Sequence, residues 1–514
     1  MPNPTRFNGC RHVTALRLLI PVCAFIYAGS AWASYAIFVG NHLTVDGSTL
    51  LGGTGDEPSS HWLEVVPQAI HPSGSTIRVG VTKQANFPGE LIDIPQTPLT
   101  AKYITMNYSE YDGFPAPLTN GGLNEYGVAV RDVWSPSRDE LQKMTANPQR
   151  GLNYSDLSRI AMERAHSARE AVEIVGKLID KYGYATYGGN SHFFADSQEG
   201  WVLIDFAGSK RLWIAERVGP DEVRMSYPGY VLEIPLDFRN HPDKYRGSAN
   251  FISFAVSQGW FNPKSGKPFN VNEVYQGGKG RSPAVKVIEQ RLRERPANSK
   301  LSVRDLMDTV RDPLVSGDQN GYGQVAHLRQ GLSHPELNLL WVAATGSITA
   351  PFIPYWIGVS KVPPEYGRHR YLSHGEAEGF VTKDWQIQEA SEFAYVTFKR
   401  LMYYTCDKPE RFLPEVTEAL GAFENQSIKA SRDVEAIAAR LLDTGEKSMA
   451  TDVLTGYSNA RARDGLELGR ALLASIEARH RLLYGYRAPQ GTQMSQSDDD
   501  REALVGCGKV LPWE

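Results

Sequence analysis

Residues 31–56 read Ala31-Trp32-Ala33-Ser34-Tyr35-Ala36-Ile37-Phe38-Val39-Gly40-Asn41-His42-Leu43-Thr44-Val45-Asp46-Gly47-Ser48-Thr49-Leu50-Leu51-Gly52-Gly53-Thr54-Gly55-Asp56. Two short runs, Tyr35–Val39 and Thr49–Gly53, flank a turn at Asp46-Gly47, the pattern of a β-hairpin. Upstream lie Arg6, Arg11 and Arg17, an apolar run from Leu18 to Ala28, and small residues at 31 and 33. Basic, apolar and small segments in that order make a secretory signal peptide over residues 1–33. Cleavage after Ala33 would leave Ser34 first in the mature chain, with its hydroxyl and a free α-amine on one residue. That amine has a reference pKa of about 7.7–8.0 and can act as a base near neutral pH.

Removing residues 1–33 from the 514 leaves 481, ample for a large core. The mature chain carries 51 basic and 58 acidic residues, a net charge near −7, which argues against nucleic acid or an anionic membrane surface as partner. The apolar run is too short to span a bilayer, so no stable membrane anchor is expected. Cys10 and Cys23 leave with the signal; Cys406 and Cys507 stay, and in an oxidising compartment they either pair or remain free thiols. The 12 His include no H-E-x-x-H and there is no C-x-x-C, so no metal is expected. Gly52-Gly53-Thr54-Gly55 lacks the G-K-[ST] ending of a phosphate loop, and no cofactor is expected.

Past the hairpin, Trp62–Val66, Thr76–Val79, Tyr103–Asn107, Gly127–Val133 and His192–Asp196 continue the β pattern. Trp201–Phe206 and Arg211–Val218 flank Ala207-Gly208-Ser209 as a second hairpin. Between them Leu157, Ile160, Ala161, Ala165 and then Ala171, Ile174, Val175, Leu178 fall at helical spacing, with Ser167 and Glu170 as a capping box. A second β-rich stretch runs from Gln324 to Val359. From about Asp384 to Leu483 the pattern turns helical, and 490–500 is polar. Strands on either side of helices imply layers of sheet and helix, an α+β architecture.

The opening hairpin, with its D-G-S-T turn and Asp56 after the second strand, resembles peptidase family C69 (U34) of the N-terminal nucleophile hydrolases. Gly122-Leu123-Asn124-Glu125-Tyr126-Gly127-Val128 is similar to that family's G-x-N-E-x-G-V segment. Glu163–Ala165, Ala168–Val172, Tyr182-Gly183, Phe251–Ala255 with Gly259-Trp260, and Leu340–Ala343 resemble further blocks in the same order. The resemblance spans roughly residues 34–480. It implies a four-layer αββα sandwich and a hydrolase of amide or peptide bonds, without cofactor, acting on a small peptide or amide after signal peptidase has exposed Ser34. The expected organisation is signal peptide 1–33, catalytic domain 34–380, helical region 381–485, and polar linker and tail 486–514.

By the same resemblance Ser34 is the nucleophile and Asp56 orients its amine, against a plain reading of Asp56 as a strand-end cap. Asn124 is a candidate oxyanion donor, although Asn-Glu-Tyr-Gly is also good turn sequence. Asn190 and His192 read as scaffold. The chain departs from the family in three places. The usual Cys is Ser34. The family's R-N-x-D reads Gly53-Thr54-Gly55-Asp56, so an Arg and an Asn are missing. A later Asn near Pro228-Gly229 is missing too. The absence of the Arg leaves space for a larger substrate or for another cation. Two further functions stay open: an acylase or amidase on non-peptide amides, and an envelope binding protein that keeps the fold without activity.

Overall fold

A computed structural model describes residues 34–55, 61–109, 111–226, 233–278, 283–295, 299–317, 320–369, 392–485 and 507. In the opening hairpin, β1 (Tyr35–Val39) and β2 (Thr49–Gly55) pair antiparallel, with Tyr35 opposite Thr54 and Val39 opposite Leu50. The D-G-S-T turn explains its own composition. Asp46 Oδ1 accepts from the Ser48 hydroxyl at 2.6 Å, Asp46 Oδ2 lies 2.7 Å from His327 Nε2, and Gly47 sits at φ +72°, where a residue without Cβ is favoured.

Two antiparallel sheets face each other. Among the described residues one has six strands: β10 (Val223–Ser226), β1, β2, β12 (Tyr322–Leu328), β13 (Leu339–Ala344) and β14 (Ile353–Trp356), in that order. The other has eight. It runs β3 (His61–Val66), β4 (Tyr103–Tyr108), β5 (Leu118–Asn124), β6 (Ala129–Trp134), β7 (Gly189–Ala195), β8 (Gly200–Phe206), β9 (Trp213–Val218) and β11 (Tyr245–Gly247). The inward faces share one core that joins Phe38 and Ala36 of the first sheet to Val133, Phe193 and Val202 of the second.

Helices cover both outer faces. α1 (Tyr154–Arg164) and α2 (Ala168–Tyr182) lie on the eight-stranded sheet, where Leu157, Ile160, Ala161, Val172 and Val175 pack against Val130, Phe194 and Leu203. Ser167 caps α2 by accepting from Glu170 N at 3.1 Å. The Glu170 carboxylate reaches back to His166 N, not to Ser167 N, so only half of the expected capping box forms. On the six-stranded sheet lie α3 (Val303–Val310) and three C-terminal helices, α4 (Ala394–Asp407), α5 (Pro409–Asp443) and α6 (Lys447–Tyr484). The result is four layers, helix–sheet–sheet–helix: the αββα sandwich implied by the resemblance.

Polar contacts help fix the helical region to the rest of the sandwich. Glu424 on α5 receives Arg311 Nη1 at 2.8 Å and Nη2 at 2.5 Å. Trp356 Nε1 donates to Glu435 at 2.6 Å, and Tyr366 Oη to the Ala462 carbonyl at 2.8 Å. Among the described residues no helix is long and apolar enough to cross a membrane. Cys406 on α4 and Cys507 are disulfide-bonded, which settles the pairing that the sequence leaves open.

Within the two main sheets the strand boundaries follow the sequence pattern to within a few residues, with three exceptions. Val223–Ser226, Leu118–Asn124 and Tyr245–Gly247 are strands where the sequence reading places none. The second of these carries Asn120-Gly121-Gly122, a turn-like composition. Gly121 belongs in a strand here because a Cβ on it would lie 2.1 Å from the Val130 carbonyl oxygen.

Candidate active site at the end of the first hairpin

Side-chain alternation along β1 sends Tyr35 outward, where its hydroxyl donates to the Val310 carbonyl on α3 at 2.5 Å. Phe38 points the other way and packs against Gly200 of the facing sheet. Ser34, one residue before Tyr35, shares the inward side with Ala36 and Phe38. It is 5% exposed. Gly55 closes β2 opposite Tyr322, the first residue of β12.

The facing sheet supplies the rest of this end. Arg131 of β6 donates through Nη1 to the Tyr322 hydroxyl and through Nη2 to the Thr54 carbonyl oxygen, its guanidinium 5.1 Å from the Tyr322 ring centre. The Tyr322 hydroxyl lies 3.4 Å from Asn120 Oδ1 on β5. The His61 ring, at the start of β3, sits 5.1 Å from the Tyr108 ring and 5.3 Å from the Tyr322 ring. On the outer side Asn320 Nδ2 donates to Thr54 Oγ1 at 3.2 Å. These groups are all buried. Burial holds the Tyr395 hydroxyl, on α4, well above its ordinary pKa and therefore uncharged.

Asp56 lies outside the described residues, as does the Pro228-Gly229 turn. Asn124 is fully buried and does not join this group of side chains. Its Nδ2 donates to the Met162 and Ala165 carbonyls at 3.0 and 2.8 Å, and its Oδ1 accepts from Tyr126 N and Val128 N at 3.1 and 2.9 Å. Both N–H groups are spent on the end of α1, so the carboxamide ties the β5–β6 turn to the helix layer and has no donor left for an oxyanion. A register shift between Thr105 and Asn107 marks a β-bulge in the β4–β5 pairing. The extra residue reverses the alternation, so Asn124 faces the helices while Asn120 faces the other sheet. Asn190 and His192 also face the helix layer. Asn190 donates to Asp132 at 3.1 Å, and His192 lies 3.2 Å from Asp205 and 3.4 Å from Ser158 Oγ. Burial raises the Asp205 carboxyl, against the hydrogen bond from His192.

Sequence reasoning missed Arg131, Asn120, Asn320, His61 and Tyr322. One signal was available: Arg131 interrupts Ala129-Val130-Arg131-Asp132-Val133-Trp134 at a position whose neighbours in alternation, Ala129 and Val133, are core. Gly53 does not open the space expected of it. A Cβ there would lie 2.0 Å from the Tyr35 carbonyl oxygen, so neighbouring backbone already fills that side.

Residues 33–282 match the family model described as peptidase family C69. A probable dipeptidase from Latilactobacillus sakei is 26% identical over 322 residues, 56% of this chain and 63% of that protein. Probable dipeptidase A from Streptococcus pyogenes serotype M3 is 27% identical over 242 residues, 45% of this chain and 49% of its own length. The chain thus spans about half to just under two thirds of these relatives. A solved structure of a mutant conjugated bile acid hydrolase from Clostridium perfringens aligns with a TM-score of 0.27 at 11% identity, covering 60% of this chain and 89% of that one. The similarity to peptidase family C69 thus covers the segment 33–282, just under half of the chain.

Proposed function

We propose that this protein is an exported amidohydrolase of dipeptidase type, activated when signal peptidase cleaves after Ala33 and frees the amine of Ser34. The observation that carries this reading is the placement of Ser34. It stands directly before β1, behind an A-x-A sequence, and is 5% exposed. The relatives' names support peptide bonds as the target. The Cys406–Cys507 disulfide supports an oxidising compartment, periplasmic or extracellular.

The neutral α-amine takes the proton of Ser34 Oγ as Oγ bonds to the amide carbon. The C–N bond then breaks, and the amine passes that proton to the leaving nitrogen. Water adds to the resulting ester and releases the acid, restoring the hydroxyl. Asp56 orients the amine. The oxyanion needs donors fixed in advance. Asn120, turned into the inter-sheet space by the bulge, takes the amide role in place of Asn124.

A dipeptide panel run against N-acyl amino acids tests the substrate class. Hydrolysis of dipeptides by the chain beginning at Ser34, abolished by Ser34→Ala, is the expected result. Cleavage of N-acyl amino acids alone would move the protein to the acylase class, and no hydrolysis of either would leave only a binding role.

A further inference from the structure

A cavity of about 210 Å³ opens where the helical region docks on the two sheets. Its floor is apolar: Ile357, just after β14, Leu442, near the end of α5, and Leu454, on α6, are all buried. Its rim is charged. Lys102 precedes β4, Glu125 follows β5, Glu336 lies between β12 and β13, and Lys447 begins α6. All four stand well inside described stretches of the chain. The cavity is remote from the end of the first hairpin. β4 reaches that end at Tyr108, whose ring packs on His61, and the rise of the strand puts Lys102 about 20 Å from Tyr108.

The rim groups keep hydrogen-bonding capacity. Lys102 Nζ donates to the Val359 carbonyl at 2.7 Å, which uses one of the three donors of an ammonium. Glu125 Oε1 accepts from Lys102 N and from Gln68 Nε2, each at 2.9 Å, and the second oxygen bonds to no described residue. Lys447 and Glu336 form an ion pair at 3.8 Å, too long for a hydrogen bond. Burial lowers the Lys102 ammonium, with Glu125 and Glu336 opposing it through space, and an anion in direct contact would favour its charged form further.

Groups of both signs thus ring an apolar floor. That lining matches a molecule with one positive charge, one negative charge and an apolar end. We propose that this cavity binds a free amino acid with an aliphatic side chain: its carboxylate on Lys102 and Lys447, its ammonium on Glu125 and Glu336, and its side chain on Ile357, Leu442 and Leu454. The volume equals that of about seven waters in the liquid, room for one such molecule and below the range of sites for larger ligands. A simple anion would leave the two carboxylates facing it, and a simple cation the two lysines. The site goes beyond the reaction proposed for Ser34 and does not depend on it. A bound amino acid bridges Lys102, at the start of β4, and Lys447, at the start of α6, so its binding strengthens the docking of the helical region on the sandwich.

Calorimetric titration of the chain beginning at Ser34 with L-leucine tests this. Saturable binding is expected, together with a thermal midpoint that rises with L-leucine concentration. Leucinamide lacks the carboxylate and isocaproate lacks the ammonium. Each should bind at least about tenfold more weakly, the effect of losing one hydrogen bond to a charged group. Lys102→Met and Glu336→Gln should each weaken L-leucine by a similar factor. Absence of L-leucine binding would overturn the proposal. So would equal affinity for either analogue, or undiminished affinity in folded Lys102→Met or Glu336→Gln, which would put the ligand elsewhere. If Lys102→Met does not fold, Glu336→Gln, on the part-exposed rim, and the two analogues still decide the matter.

Discussion

Gly53 and Tyr35 approach so closely across the first hairpin that a Cβ on Gly53 would lie 2.0 Å from the Tyr35 carbonyl oxygen. That distance is far inside van der Waals contact, and the atom in the way is backbone next to Ser34. Gly53→Ala is therefore expected to push β1 away from β2, cost several kcal/mol and abolish hydrolysis. Gly53→Arg, which restores the residue type usual in the family, is expected to do the same instead of improving activity. Thermal denaturation with activity assays checks both, and an active, wild-type-stable Gly53→Arg would refute this account of the position.

Asn120 and Asn124 sit on the same strand but have different duties. Asn120→Ala should lower kcat by about 10²–10³, the loss seen when one oxyanion donor is removed, with little change in stability. Asn124→Ala strands two buried carbonyls, the buried Val128 N–H and the part-buried Tyr126 N–H. It should cost about 1–3 kcal/mol or more in stability, while the protein that remains folded keeps its kcat. Urea melts and steady-state kinetics on the two variants separate these roles.

Glu424 holds two arginines, Arg311 and Arg304, and also accepts from Phe352 N at 2.8 Å, at the junction of α5 with the six-stranded sheet. The carboxylate is fully buried. Glu424→Gln leaves the buried Arg311 with only the half-exposed Asp308, 3.6 Å away, as counter-charge, which should cost up to about 3–5 kcal/mol. Chemical denaturation should show this as a large fall in the midpoint. Glu435→Gln, whose carboxylate is less buried, should cost less.

The Asp46 carboxyl, in the turn between β1 and β2, feels burial that raises it and hydrogen bonds from His327 and Ser48 that outweigh burial, so its pKa is lowered in the folded state. A lowered carboxylate gives stability that is complete above its unfolded value of about 3.9 and drains away as pH falls toward the folded value. Acid unfolding should therefore begin below about pH 4 in part through this turn. In Asp46→Asn the difference in stability from wild type should be largest near neutral pH and shrink as the medium is acidified.

Local pattern carried most of this architecture. Short apolar runs bounded by turns marked β1, β2, β4, β8 and β9, which are buried along nearly their whole length, and the stripe from Leu157 to Ala165 marked α1. The strand at 118–124 escaped because its glycines answer to contacts with β4 and β6, which no local pattern contains. Ser34 was legible because the cleavage site expected from the sequence and a hairpin meet at it. Arg131, Tyr322 and Asn120 lie far from it in sequence and come together only through the stacking of two sheets. Asn124 drew notice because it stands in a recognisable block, but what that block preserves is a turn docked on α1.

The central claim is that export creates the catalytic residue. Intact mass measurement of the protein recovered from the compartment outside the cytoplasm tests it most directly. A chain beginning at Ser34, active on an amide substrate and inactive as Ser34→Ala, is the predicted result. An active chain whose first residue is any other would contradict it.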